Sequence, residues 1–191
     1  MDRYSHFSHF KLSNFKLYDK ILTYPKCGTK YMNNIYGTHT DDNHINFNEL
    51  FISEINYIII RDPESHFISA VNETLKYEES LKRNLESILI GANVHWNSNH
   101  YRLIEIYTLL HPNKTIVKLE NLMSFLEHEL KIKPPPFTTE HKTNKLYNMN
   151  KLKEEEPYLI GLFKQFLNFE KESYYRILLN NKVYEPKKSL I

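Results

Sequence analysis

The sequence is poor in the residues that build special frameworks. It holds one cysteine, four glycines and one tryptophan in 191 residues. A single thiol, Cys27, makes neither an internal disulfide nor a multi-cysteine zinc site, and this usage favours a reducing compartment. No apolar run approaches the ~18–20 residues needed to span a bilayer. The opening stretch, Met1 to Phe10, is polar and His-rich instead of a basic segment followed by an apolar core, so no secretory leader is expected. Charge of one sign is lacking too. The net charge is +2 and the isoelectric point about 8.4, too balanced for a nucleic-acid partner. Histidines are present, but no close pair has the H-x-x-x-H spacing on a clear helix, since His95 and His100 are five apart, so no metal is expected. These absences lead us to expect a protein that is cytoplasmic or otherwise soluble and intracellular, with neither membrane nor nucleic acid as partner.

What is there reads as globular: 41% hydrophobic and 25% charged residues. The length fits one domain. We expect an irregular arm over 1–17 and a single domain over 18–191. A strand is expected at Lys20–Tyr24, then a short helix over Lys30–Tyr36 stopped by Gly37. Thr38–Thr40 reads as a short strand and Asn48–Glu54 as a short helix. The apolar run Asn56–Ile60 suggests a strand buried on both faces, as in a parallel sheet. A helix over Glu64–Tyr77 follows, with Phe67, Ile68, Val71 and Leu75 at helical spacing. Further helices are expected at Ser80–Ile90, Tyr101–Leu110 and Leu122–Leu130, with a third strand at Thr115–Leu119. Lys133–Asn150 reads as a long loop, and Glu154–Leu179 as one or two helices. Alternating strands and helices predict an α/β fold, a mainly parallel central sheet of about four to five strands flanked by helices.

Two strand ends carry chemistry, and ligands of open α/β sheets bind beyond such ends. The first reads Tyr24-Pro25-Lys26-Cys27-Gly28-Thr29-Lys30 and runs into a helix. Gly28 would let the backbone approach an anion, the helix start would aim N–H groups at it, and Lys26, Thr29 and Lys30 would add charge and a hydroxyl. The pattern is not the Walker sequence, because only one glycine is present. Cys27 lies within this loop, where its thiol pKa is expected to fall. The second end reads Ile60-Arg61-Asp62-Pro63-Glu64-Ser65-His66-Phe67-Ile68-Ser69. The guanidinium of Arg61 can grip a phosphate through two parallel hydrogen bonds, and Ser69 can add a donor. Read by themselves, the two segments are equally a tight turn and an Asp62 helix cap beside a surface arginine.

As a pair, the Pro-Lys-x-Gly-Thr loop and the Arg-Asp-Pro segment with a serine eight positions after the arginine resemble the signature of PAPS-dependent sulfotransferases (PAPS is 3′-phosphoadenosine-5′-phosphosulfate). The motif spacing is closest to the glycan or uronyl 2-O-sulfotransferase branch. The resemblance implies a P-loop-NTPase-like sulfotransferase fold. It also implies that Pro25, Lys26, Cys27, Gly28, Thr29 and Lys30 hold the 5′ side of the nucleotide, and that Arg61 and Ser69 hold the 3′-phosphate. Lys118-Leu119-Glu120-Asn121-Leu122 is similar to a further family strand end. His141-Lys142-Thr143-Asn144-Lys145 is similar to a late basic loop, which implies cofactor contacts from His141, Lys142 and Lys145. Lys30 and His66 stand where the family more often has a second hydroxyl residue and an arginine.

The implied activity is transfer of the sulfuryl group from PAPS to a hydroxyl acceptor, expected to be a carbohydrate, with 3′,5′-ADP as product. Lys26 would stabilise the leaving phosphate. His39, which precedes Arg61 by 22 residues, is the favoured base, since an imidazole accepts protons near neutral pH. His44 and Glu49 are the alternatives. Two other functions remain open: a P-loop-like nucleotide kinase, and a non-catalytic nucleotide-binding or interaction module with a degenerate version of the fold.

Overall fold

The computed structural model describes residues 16–24, 26–38, 54–74, 113–136 and 147–186. Over these the chain is α/β, with a five-stranded, mostly parallel sheet and five α-helices. The strands are β1 (Lys16–Tyr18), β2 (Ile21–Thr23), β3 (Tyr57–Ile60), β4 (Thr115–Lys118) and β5 (Lys182–Val183), and they lie side by side in chain order. β1 and β2 form an antiparallel hairpin with Lys16 opposite Thr23 and Tyr18 opposite Ile21. From β2 to β5 every neighbour is parallel.

β1 begins at Lys16, so the last two residues of the expected arm belong to the sheet. The reason is the turn: Asp19 adopts a left-handed φ of 54°, and two residues suffice to reverse the chain. The strands expected at Asn56–Ile60 and Thr115–Leu119 are present within a residue of each end. β3 and β4 are buried through Ile58, Ile59, Ile60, Ile116 and Val117, which is why they read as unbroken apolar runs. β5 lacks such a signal. It is two residues long and pairs Lys182 with Thr115 and Val183 with Ile116.

The helices are α1 (Thr29–Tyr36), α2 (Pro63–Thr74), α3 (Leu122–His128), α4 (Met149–Glu155) and α5 (Pro157–Asn180). Gly37, at φ 63°, closes α1 by donating to the Asn33 carbonyl. The long loop expected to run to Asn150 ends sooner, because the Asn148 side chain caps α4 by accepting from the Lys151 N–H at 2.9 Å. Pro157 divides the C-terminal segment into two helices and sits at the first position of α5, where its missing N–H costs nothing. One buried cluster joins the sheet to α1, α3 and the end of α5 through Tyr174 and Ile177. A second joins α2, α4 and α5 through Phe67, Val71, Leu152 and Phe163. Expected elements at 39–53, 80–90 and 101–110 lie outside the described residues. Among the described residues no helix is long and apolar enough to cross a membrane.

Candidate functional site

β2 and β3 are adjacent and parallel, in register Leu22 with Ile58, so their carboxyl ends open at one edge of the sheet. Neighbouring strands are about 4.8 Å apart, which sets the Tyr24–Gly28 loop beside Arg61. The loop turns tightly. The Cys27 N–H donates to the Tyr24 carbonyl at 3.1 Å, and Lys26 takes a left-handed φ of 65°. Gly28 follows, also left-handed at φ 85°, and α1 starts at Thr29 with the Met32 N–H donating to the Gly28 carbonyl at 2.9 Å. α1 has neither an acidic residue in its first turn nor a capping side chain. The N–H groups of Gly28, Thr29 and Lys30 therefore have no acceptor within the helix, and the positive end of its dipole is not offset by a carboxylate.

Arg61 ties the two segments together. Its Nη1 donates to the Lys26 carbonyl at 3.0 Å, and its backbone N–H donates to the Tyr24 hydroxyl at 3.3 Å. Only one of the five guanidinium N–H donors is used in that bond. Lys26 and Thr29 are half-buried and Lys30 is exposed. Lys26, Cys27, Gly28, Thr29, Lys30 and Arg61 are thus brought into one neighbourhood. Ser69 is half-buried on α2, four residues and one turn beyond Ser65. Asp62 caps α2 by accepting from the Ser65 N–H at 2.9 Å. Pro25, His39, His44, Glu49, His141, Lys142 and Lys145 lie outside the described residues.

One expectation needs correction. Cys27 is not an activated thiol. It is completely buried, and desolvation pushes its pKa up from 9.0 to about 12, against opposing pulls from the Tyr24 hydrogen bond, Arg61 and Lys26. Its backbone N–H is committed to the turn as well, so Cys27 helps to shape the loop. Gly28 has its own structural reason. A Cβ there would stand 2.9 Å from Leu119 Cδ1 and 3.2 Å from Leu122 Cδ2, so the close approach is to these leucines. His66, at a position where an arginine is more usual in the motif, faces the interior. It is 3% exposed, with its ring 5.4 Å from that of Tyr24.

The structure adds residues that the sequence reading passed over. Tyr24 is buried, and desolvation, with Cys27 beside it, holds its phenol well above the ordinary value. Glu170 of α5 is also buried, and its charge acts on both Tyr24 and Cys27. Asn72 is buried on α2 and binds the backbone of Tyr147 in both directions. Its Nδ2 donates to the Tyr147 carbonyl at 2.9 Å, and its Oδ1 accepts from the Tyr147 N–H at 2.8 Å. Tyr147 lies two residues after Lys145, so this clamp fixes the chain just beyond the expected basic loop to α2. Six residues before His141, the Pro135 carbonyl accepts from the Tyr31 hydroxyl on α1. One sequence signal for Asn72 was available: it is a polar residue four positions after Ile68 and beside Val71, at the edge of the apolar stripe. Among the described residues no group of three or more His, Cys, Asp or Glu side chains is placed to hold a metal ion. Comparison of the chain with family models, with curated proteins and with solved structures finds no match.

Proposed function

We propose that the chain is a PAPS-dependent sulfotransferase acting on a hydroxyl, with a carbohydrate as acceptor, and that its sheet is the core of a P-loop-like sulfotransferase fold. One observation supports the reading above the others: the Arg61 Nη1 to Lys26 carbonyl bond, which joins the two anion-binding segments at neighbouring strand ends. The groups at hand suit a nucleotide with phosphates at two positions. Lys26, Lys30 and the first-turn N–H groups of α1 would take the 5′ side, and the remaining donors of Arg61 with the Ser69 hydroxyl the 3′-phosphate. PAPS supplies the activated sulfuryl group. Lys26 would hold the charge on the leaving phosphate, and His39 would accept the proton of the acceptor hydroxyl. His141, Lys142 and Lys145 would close over the nucleotide from a loop flanked by chain that is held on α1 and α2.

Calorimetry with 3′,5′-ADP and with ATP tests the reading. The expected result is binding of 3′,5′-ADP, little binding of ATP, and loss of most of the affinity in Arg61→Ala. A preference for ATP sinks it in favour of a nucleotide kinase. A second reading, a nucleotide-binding or interaction module without turnover, draws support from Cys27: the one thiol in the loop is buried and protonated. It predicts nucleotide binding without sulfate transfer to any hydroxyl acceptor. His39→Ala separates the two, since it should abolish transfer and spare binding if the enzyme reading holds.

A further inference from the structure

We propose that Lys16 is a further cation of the anion site, delivered to its 5′ side by the hairpin strand β1; this rests on the nucleotide reading above. β2 is the strand at which the sheet changes direction, antiparallel to β1 on one side and parallel to β3 on the other. Its carboxyl end, where the loop begins, is therefore flanked by the first residue of β1 and by the residue after β3. Those residues are Lys16 and Arg61. Lys16 pairs with Thr23, immediately before the loop, and the Thr23 hydroxyl donates to the Lys16 carbonyl at 3.4 Å. The register sets Thr23 level with Ile59, so two strand spacings across and two residues along put Lys16 and Arg61 about 12 Å apart at the strand end.

The side of the sheet follows from alternation. Lys16 and Tyr18 are two apart on one strand and project from the same face. Tyr18 faces α1: its hydroxyl reaches the Thr29 carbonyl at 3.0 Å and the Asn33 side chain, and its ring lies 5.4 Å from that of Tyr36. Lys16 shares that face but stands one pleat nearer the loop, about 6.6 Å along the strand from Tyr18. α1 begins at this same end. The strand thus carries the Lys16 side chain toward the first turn of α1, where Gly28, Thr29 and Lys30 present their N–H groups. Lys16 is 6% exposed and makes further interactions of its own. A lysine so deeply covered, on the face and at the end where an anion loop starts, places positive charge where the 5′ group of the nucleotide would lie, apart from the 3′ group held by Arg61.

The test exploits that asymmetry. Calorimetry compares 3′,5′-ADP with 3′-AMP, which lacks the 5′ group, on the wild-type chain, Lys16→Met and Lys16→Arg, with a thermal melt of each. Lys16→Met keeps the stem that packs in β1 and removes only the charge. The expected result is at least a tenfold loss of 3′,5′-ADP affinity in Lys16→Met, unchanged 3′-AMP affinity, and recovery to within about threefold of wild type in Lys16→Arg. Equal affinities for 3′,5′-ADP in wild type and Lys16→Met overturn the proposal and leave the nucleotide reading intact. Equal losses for both ligands, or a lower melting point in both variants without selective loss, overturn it in favour of a purely structural lysine. If the wild-type chain binds neither ligand, the nucleotide reading itself has failed and the proposal falls with it.

Discussion

Replacing Gly28 with alanine tests whether packing dictates the shape of the Tyr24–Gly28 loop. Two costs can be worked from the structure. Gly28 sits at φ 85°, and an L-residue in the left-handed region loses about 1–2 kcal/mol relative to glycine. The added methyl would also stand 2.9 Å from Leu119 Cδ1 and 3.2 Å from Leu122 Cδ2. Leu119 is only partly buried and can swing aside, whereas Leu122 is fully buried. This puts the overpacking near the low end of its range, about 1 kcal/mol. The sum is about 2–3 kcal/mol. That is a large share of the roughly 5–15 kcal/mol that holds an ordinary domain together. Urea unfolding reads it as a lower midpoint with an unchanged slope. Combining Gly28→Ala with Leu119→Ala separates the two costs: the contact is relieved and the backbone strain is kept, so a coupling of about 0.5–1 kcal/mol is expected. A loss below about 0.5 kcal/mol in the single variant, the level of an ordinary surface change, refutes the reasoning. A loss of the expected size with no coupling to Leu119 refutes the packing half of it.

Other perturbations have equally definite outcomes. Asn72→Leu strips the Tyr147 N–H and carbonyl of their partners and should cost about 2–4 kcal/mol in a thermal melt; an unchanged midpoint contradicts the clamp. Cys27 should resist an alkylating reagent at pH 8 in the native state and react once the chain is unfolded; rapid native labelling contradicts its burial. The same thiol gives a pH dependence. Its folded pKa is raised from 9.0 to about 12, so its stabilising contribution is complete below pH 9 and is lost as pH rises from there through about 12. Unfolding midpoints should therefore fall from pH 9 upward, with Tyr24 adding to the trend, and a flat profile from pH 8 to 11 would count against both. Lys171→Met removes the ion pair to Glu64 that links α5 to α2. Both side chains are 39% exposed, so water screens the pair, and the loss should not exceed about 1 kcal/mol; a larger loss means that the pair does more than join two surfaces.

The parts of the fold that could be read from the sequence are those in which one local signal dominates. β3 and β4 announced themselves because burial on both faces leaves an apolar run, and α1 because Gly37 ends it in a conformation few other residues adopt. β1 and β5 escaped because pairing, not pattern, creates them. β1 depends on a hairpin turn at Asp19-Lys20, which lacks the Asn-Gly or Asp-Gly signal, and β5 is two residues held by a neighbour far along the chain. The site divides in the same way. The two motifs could be found by spacing, and the structure brings them together. What spacing could not show is which groups the fold keeps for itself. Cys27 reads in the motif as one more member of the loop, and only its burial separates it from Lys26, Thr29, Lys30 and Arg61.

That division bears on how the site works. The left-handed conformation of Lys26 costs energy, and the surroundings supply the compensation: the turn closed by Cys27, the glycine that follows and packs on its leucines, and the guanidinium bond to the Lys26 carbonyl. A loop held by its own packing arrives at the ligand already shaped, and binding then loses less to ordering. Arg61 occupies a double position in this arrangement. It braces the loop with one N–H, and on the proposed reading its other donors would serve a phosphate, so Arg61→Ala should damage both. Arg61→Lys distinguishes the two roles. An ammonium retains the charge but not the planar fork, and it should keep a substantial part of the electrostatic attraction while losing the two-bond grip and the brace together. If affinity for 3′,5′-ADP falls nearly as far in Arg61→Lys as in Arg61→Ala, geometry governs the site; if Arg61→Lys binds as wild type does, charge alone is enough and the bond to Lys26 is incidental.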